Sequence, residues 1–398
     1  MFPSYFYLDR AIAVAVAAGC VIGATTQGQE STPASSASLE ALAADVEAGR
    51  RATPLIGEPT TDGHTVVTFL ARRIAGRVPR IVSDVTGWGE HVDGTFDSTV
   101  GRMTRVGRGD WYSLRARVAP RARIEYLIAY GRADYRLDPY NPRQVGPPPA
   151  SEFVTPGYRP PQELVDPPES PAGLLTETIV ESRALGRSCP VIVYTPSGGR
   201  NGRDDPVAVF LDSRAGQMSR VLDWLIAHQV IAPLVAVFVE TSPPGTERPD
   251  GTALRTFLNE ELPPWLTARY AVTRSAGKRA VIAISYGAKD ALDAALGPID
   301  AFGRLGLLIP GRRISRSDID AIAGRRDRPL RVAILAGQYD QANVATARSV
   351  RDALVAAGHL VDYTEVPEGH SPRTWLNHLR TVLVSLFDPA LRGDPGER

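Results

Sequence analysis

This sequence predicts an α/β fold with a doubly wound, mostly parallel sheet, preceded by an all-β sandwich. Two patterns along the chain carry that reading. Between about Thr53 and Thr155, short alternating or apolar runs are separated by Gly, Pro, Asp and Asn clusters, with no helix of useful length between them. From about Leu174 onward, near-continuous apolar runs alternate with segments whose apolar residues recur at i, i+3 and i+4. The chain has 398 residues, 43% hydrophobic and 22% charged, which suits a folded protein of two or three domains with a sizeable core.

Residues 1–30 read as a targeting segment and tether. Ala11 to Gly19 is an apolar run followed by Cys20. It is shorter than the roughly 20 residues needed to cross a bilayer, and it fits the hydrophobic region of a secretory signal. AAGC resembles the bacterial lipobox, in which the cysteine is lipidated, although Ala17 stands where leucine is usual. The expectation is an exported bacterial protein: periplasmic, anchored at the cell surface through a lipid on Cys20, or secreted after plain cleavage near Ala24. Residues 25–52 read as a tether and then a short helix from Ser38 to Ala52.

The β half, placed at 31–155, rests on the runs HTVVTFLARR, PRIVSDVTGW, DWYSLRARV and ARIEYLIAYG. It closes with YRLDPYNPRQ. Prolines then recur from 146 to 173, where they cannot supply ladder hydrogen bonds, so the whole stretch reads as a stiff interdomain linker, with the linker proper placed at 156–173. The α/β half spans 174–390, with a disordered tail at 391–398. Its strand candidates are LTETIVESR, PVIVYTP, VAVFLDS, LVAVFVE, RAVIAIS, LGLLIPG, LRVAILAG and VDYTEVP. Such apolar strands imply a sheet covered on both faces, with ligands gathering at the carboxyl ends. Amphipathic segments such as FLNEELPPWLTARY and NVATARSVRDALVAAG supply the covering helices.

Composition excludes several classes. A net charge of +1 provides no basic field for nucleic acid. Two cysteines cannot make a disulfide framework or a cysteine-rich zinc site, and the six histidines form no HExxH-like cluster, so no metal or other cofactor is expected. Cys189 opens an apolar run and reads as a small core residue.

Three strand ends carry the chemistry. RAVIAIS runs into Ser285-Tyr286-Gly287 and then directly into a helix, the arrangement of a nucleophile elbow. The serine must stand clear of the sheet on a strained turn, and the positions two before and two after it, Ala283 and Gly287, must be small. The Tyr286 N–H at the helix start would stabilise an oxyanion. The competing reading is a serine N-cap on an ordinary helix. LRVAILAGQYD ends in Asp340, where an acid could orient a histidine; it could equally cap the next helix. Glu365 and Glu368 are rival acids, too near the histidine on its own strand or loop. His370 follows the last strand, unlike His64, His91, His228, His359 and His378. The order Ser285, Asp340, His370 is that of a hydrolase triad. FLDSRAG could give a second oxyanion donor near Ser213 or Arg214, or merely start a helix.

The ordered series of these stretches resembles the esterase D superfamily of α/β-hydrolases, and the two-domain layout is similar to enterochelin esterases. The matching stretches are SRALGRSCPVIVYTPSG, VAVFLDS, FLNEELPPWLTARYAV, AISYGAKDAL and EGHSPRTW, the last with His370 and Trp375 at the family spacing. VTFLARR, DWYSLRARV and YRLDPYNP resemble the family's immunoglobulin-like leading domain. Together they cover about residues 60 to 388. The resemblance implies hydrolysis of catecholate siderophore esters with release of iron, with Ser285, Asp340 and His370 as the triad. Ser213, Ala283 and the pair Ala288-Lys289 depart from the family pattern, and Lys289 could be a plain exposed residue. Related families deacylate feruloyl or acetyl groups on plant polysaccharide.

The favoured reading is therefore a serine esterase acting through an acyl-enzyme on a small-molecule ester, a ferric siderophore or a feruloylated sugar. Arg214, Arg248 and Trp375 are candidate substrate contacts. Trp88 and Trp111 are further candidates, weighed against plain core or surface roles. The competing reading is an exported binding protein that keeps the hydrolase fold without catalysis.

Overall fold

The structure, a computed structural model, describes residues 36–388 apart from 90–96, 98, 132, 167–171, 199–203, 213–214, 242–246 and 324–327. The apolar leader with Cys20, the tail from 391, His91, Ser213 and Arg214 lie outside the described residues.

A first helix, Ser36–Glu47, buries Ala43 and Val46 against Leu70, Val106 and Trp111. It stops five residues short of the expected Ala52, in a turn whose Gly49 adopts φ 69°. The β half that follows has nine strands: β1 (Leu55–Pro59), β2 (Thr65–Arg72), β3 (Arg80–Ser83), β4 (Thr104–Arg105), β5 (Trp111–Val118), β6 (Arg123–Ala129), β7 (Tyr135–Arg136), β8 (Gln144–Val145) and β9 (Ala150–Val154). They form two antiparallel sheets, ordered β1-β2-β5-β4 and β3-β6-β9-β8, with β7 beside β6. Alternate residues of β2, β5 and β6 face the other sheet. Phe69 of β2 meets Tyr126 of β6 and Phe153 of β9 edge to face, at centroid distances of 5.1 and 5.7 Å. Burying one such ring contributes on the order of 2 kcal/mol.

Two expectations change here. The Pro-rich run from 146 is not all linker: its proline-free piece, Ala150–Val154, is a central strand between β6 and β8. The prolines on either side mark its ends. YRLDPYNP does not end the sandwich but tucks into it. Tyr126 donates to Asp138 at 2.7 Å, and Asn141 donates to the Tyr126 oxygen at 3.0 Å.

The second half holds eight strands: β10 (Leu174–Ser182), β11 (Arg187–Thr195), β12 (Val207–Leu211), β13 (Val235–Val239), β14 (Arg279–Ile284), β15 (Arg304–Leu308), β16 (Arg331–Gly337) and β17 (Leu360–Val366). Their order is β10-β11-β13-β12-β14-β15-β16-β17, parallel from β13 to β17 and antiparallel at β10 and β11. The apolar runs work as expected. In β14, Val281 and Ala283 pack on one face while Ala280, Ile282 and Ile284 pack on the other. The order reverses around β12, with β13 and β14 on its opposite sides, which makes the carboxyl ends there the place where such sheets bind ligands. The FLNEELPPWLTARY segment is helical but interrupted. Pro263 and Pro264 lack N–H donors, and Phe257–Glu261 takes the wider π-helical turn before a helix resumes at Leu262–Arg269.

Candidate active site

Four loops at the carboxyl ends of β12, β14, β16 and β17 build the site. After β14 the chain turns at once: Ser285 adopts φ 48°, Ser285–Gly287 forms a single tight turn, and a helix runs over Ala288–Ala295. A non-glycine residue in the left-handed region is strained, and the strain lifts the side chain off the sheet end. Gly287 lies where a β-carbon would come within 3.4 Å of the Ala283 methyl and 3.5 Å of the Asp212 carboxylate. That is ordinary van der Waals contact, so the methyl of Ala283 is accommodated beneath the turn.

The Ser285 hydroxyl lies 2.8 Å from His370 Nε2, and His370 Nδ1 lies 2.8 Å from Asp340 Oδ2. Asp340 is buried, whereas the His370 side chain is 31% exposed, so the imidazole joins an interior acid to an accessible hydroxyl. The structure thus brings together three side chains that lie on separate loops of the sequence. The rival acids are committed elsewhere: Glu365 binds Arg348, and Glu368 binds His378 and Arg123. Asn343, which the sequence reading passed over as the start of a helix, donates to Asp340 Oδ1 at 2.8 Å. Its own carbonyl accepts from the Arg312 N–H at 3.0 Å. Nothing in the pattern of a helix start distinguishes such an Asn from a cap.

Asp212, at the end of β12, is a second strained residue, at φ 53°. It does not merely start a helix. Its carboxylate accepts from the Thr241 N–H and hydroxyl at 2.9 and 2.7 Å and from Arg248 at 3.0 Å. Arg248 also pairs with Asp290 of the elbow helix, which Arg313 joins at 2.5 Å. This hydrogen-bonded frame lies beneath the elbow and fixes β12 against it.

The Esterase family model matches residues 182–386, just over half of the chain. The chain belongs to the Esterase family. No curated protein matches the sequence of this esterase. Among solved structures it is similar to the ferric enterobactin esterase of Salmonella typhimurium, with a TM-score of 0.66 and 19% identity over 84% of this chain and 96% of that one. The enterochelin esterase of Shigella flexneri gives 0.63 and 19% over 87% and 98%. An enterobactin esterase structure from Shigella flexneri, determined in the presence of enterobactin, gives 0.63 and 20% over 84% and 96%. At these identities the likeness is one of fold, and its extent takes in both halves of the esterase.

Other expected site residues fall in different places. Tyr286 is 57% exposed beside Ser285, and the guanidiniums of Arg248 and Arg313 lie 4.9 and 4.6 Å from its ring centroid. Trp375 is half-buried and meets the His370 ring edge-on at 6.2 Å. Trp88 is half-buried and donates its indole N–H to Asp84 at 2.9 Å. Trp111 is not a substrate contact: it is buried under the first helix, beside Tyr140. Lys289 is no free surface charge but bridges Asp293 and Asp318 at 2.9 and 2.8 Å. Cys189 is buried, and burial pushes its thiol up to about 11, the opposite of an activated nucleophile.

Proposed function

We propose that the protein is a serine carboxylic-ester hydrolase in which Ser285 is the nucleophile, His370 the general base and Asp340 the group that orients it. The continuous pair of 2.8 Å contacts from Ser285 through His370 to Asp340, starting on a strained elbow, carries this reading. Ser285 Oγ attacks the ester carbonyl as Nε2 takes its proton, and Asp340 accepts from Nδ1–H of the imidazolium. The Tyr286 N–H, with backbone N–H groups of the 213–214 loop, receives the oxyanion. The tetrahedral intermediate expels the alcohol, which leaves with the proton from Nε2. Water then attacks the acyl-enzyme, delivering a proton to Nε2, and the acid is released as Ser285 Oγ takes that proton back.

For the substrate we infer an enterochelin-like ligand, a catecholate siderophore that carries iron as cargo and is cleaved at its serine-lactone esters. The two-domain likeness to solved enterobactin esterases supports this, as does the exposed Tyr286 ring flanked by Arg248 and Arg313 next to the nucleophile. The N-terminal sandwich is read in the same way as immunoglobulin-like. Export, with lipidation at Cys20, belongs to the same proposal, and mass spectrometry of the mature N-terminus tests it.

The deciding experiment compares wild type with Ser285→Ala on a panel of p-nitrophenyl esters, an iron-loaded catecholate lactone and a feruloylated sugar, together with fluorophosphonate labelling. The catecholate ester should be the best substrate. Ser285→Ala should lose labelling and at least about 10³-fold in kcat. A folded wild type that never labels would instead support the non-catalytic binding protein.

A further inference from the structure

His370 sits on a short loop between β17 and the helix Pro372–Asn377. The hydrolase sheet holds only one side of that loop. The other side is gripped by the β domain, chiefly by β6. The Arg123 N–H donates to the Pro367 carbonyl at 3.3 Å, and its guanidinium donates to Glu368 at 3.1 Å. Glu125, two residues along the same strand face, receives both arms of Arg373 at 2.8 and 2.6 Å. Gly369 has no room for a side chain, because a β-carbon there would collide with the Asp84 carboxylate. Contacts from the β domain therefore fall three, two and one residues before His370 and three residues after it.

These contacts form a buried charged lattice, not a surface dressing. The side chains of Arg123, Glu125 and Glu368 are 3, 4 and 2% exposed. Arg123 also holds Glu125 directly and Glu152 at 2.6 Å, so both cations and all three acids are hydrogen-bonded. Burial alone would raise the Glu125 carboxyl, but the hydrogen bonds and charges of Arg373 and Arg123 outweigh it and hold the group below its ordinary range. Fully paired buried charges of this kind fix geometry, because any displacement leaves an ion without its partner.

We propose that Glu125 of β6, through its fork with Arg373, is a positioning residue for His370, braced by Arg123, so that the β domain holds the general base in register with Ser285. The proposal rests on the triad reading above. It assigns the leading domain a part in the chemical step, through a loop that the domain clamps on both flanks of the histidine.

The test uses the full-length protein with Arg373→Met, Arg373→Lys, Glu125→Gln and the Arg373→Met/Glu125→Gln double variant. Phe69→Leu, whose ring packs on Tyr126 and Phe153 and makes none of the clamp's hydrogen bonds, serves as the destabilised control. Arg373→Met and Glu125→Gln should each lower kcat at least tenfold with KM changed less than twofold, and slow fluorophosphonate labelling in step. The double variant should be no worse than either single one, since both break the same fork. Arg373→Lys should recover part of the loss.

The downfield proton resonance of the His370–Asp340 hydrogen bond, assigned by its disappearance in Asp340→Asn, should broaden or vanish in the clamp variants and persist in Phe69→Leu. Unchanged kcat and resonance in folded Arg373→Met and Glu125→Gln would overturn the proposal. So would equal losses in Phe69→Leu at matched distance below each variant's melting temperature, because the clamp would then act through stability alone. A wild type inactive on every ester would remove the esterase reading instead, and the resonance would still decide whether the clamp orders His370.

Discussion

Asn343 donates to Asp340 Oδ1 at 2.8 Å, while His370 Nδ1 occupies the other oxygen of the same carboxylate. The carboxylate beside His370 is thus itself held in place. Asn343→Ala frees one carboxylate oxygen and lets the group rotate. It should lower kcat/KM about tenfold, worth roughly 1.4 kcal/mol of transition-state stabilisation, with little change in melting temperature. Steady-state kinetics on any substrate of the panel would show it, and an effect confined to KM would argue against the orienting role.

Asp340→Asn keeps the shape of the acid but removes its charge and its fixed acceptor role. On the triad reading kcat should fall by about 10³- to 10⁴-fold, far more than for Asn343→Ala. A loss of only a few-fold would point to another acid partner for His370.

Ala283 is the departure from a two-glycine elbow, and the tight turn accepts it. Ala283→Gly should leave kcat within twofold. It should cost about 1 kcal/mol of stability, because a buried methyl is lost and a strand residue gains unfolded-state freedom. Denaturant melts alongside kinetics would separate the two effects, and a large gain in kcat would mean the alanine had been restraining the nucleophile.

Asp84 is buried between Gly369, Trp88 and Glu125. Desolvation first, and then the nearby Glu125 charge, raise its carboxyl to about 7. A carboxyl whose folded value lies above its unfolded value favours the native state while protonated. Its contribution is full below the ordinary carboxyl range near 4 and is lost as pH rises from there to about 7. The stability of wild type relative to Asp84→Asn should therefore fall as pH rises across that window and stay flat above it. Melting temperatures measured from pH 4 to 8 would reveal the slope, and a parallel pair of curves would contradict it.

Lys289 ties the elbow helix to the helix Arg316–Ile322 through Asp293 and Asp318. Its side chain is 25% exposed, so solvent screens the pairs in part. Lys289→Met should cost about 1 kcal/mol in a denaturant melt and leave fluorophosphonate labelling at the wild-type rate. A slowed labelling rate would show that this brace reaches the nucleophile.

What the sequence made legible follows from locality. The meeting of Ser285, Asp340 and His370 could be anticipated because a parallel sheet gathers the residues that follow its strands at one edge, and strand ends can be read from where an apolar run stops. The small residues at 283 and 287 added a second local constraint. The features that escaped are those created by docking. Arg123 and Glu368 are 245 residues apart, and no pattern near either one signals the other. Trp111 looked available because a Trp in an alternating strand does not reveal which neighbour covers it; here that neighbour is the helix Ser36–Glu47. The strand Ala150–Val154 was hidden by proline density around it, which describes its flanks and not its five residues. Asn343 carries no signal at all until Asp340 is placed beside it.

The shared lattice of Arg123, Glu125, Glu368 and Arg373 also bears on how this protein can be taken apart. A fragment beginning at Leu174 would keep Glu368 and Arg373 but shed every opposite charge that the β domain lends them. Its raw face would be wet and electrostatically frustrated beside the reactive loop. Swapping leading domains between relatives would meet the same obstacle, unless the Arg-x-Glu pair of β6 travelled together with the loop it clasps.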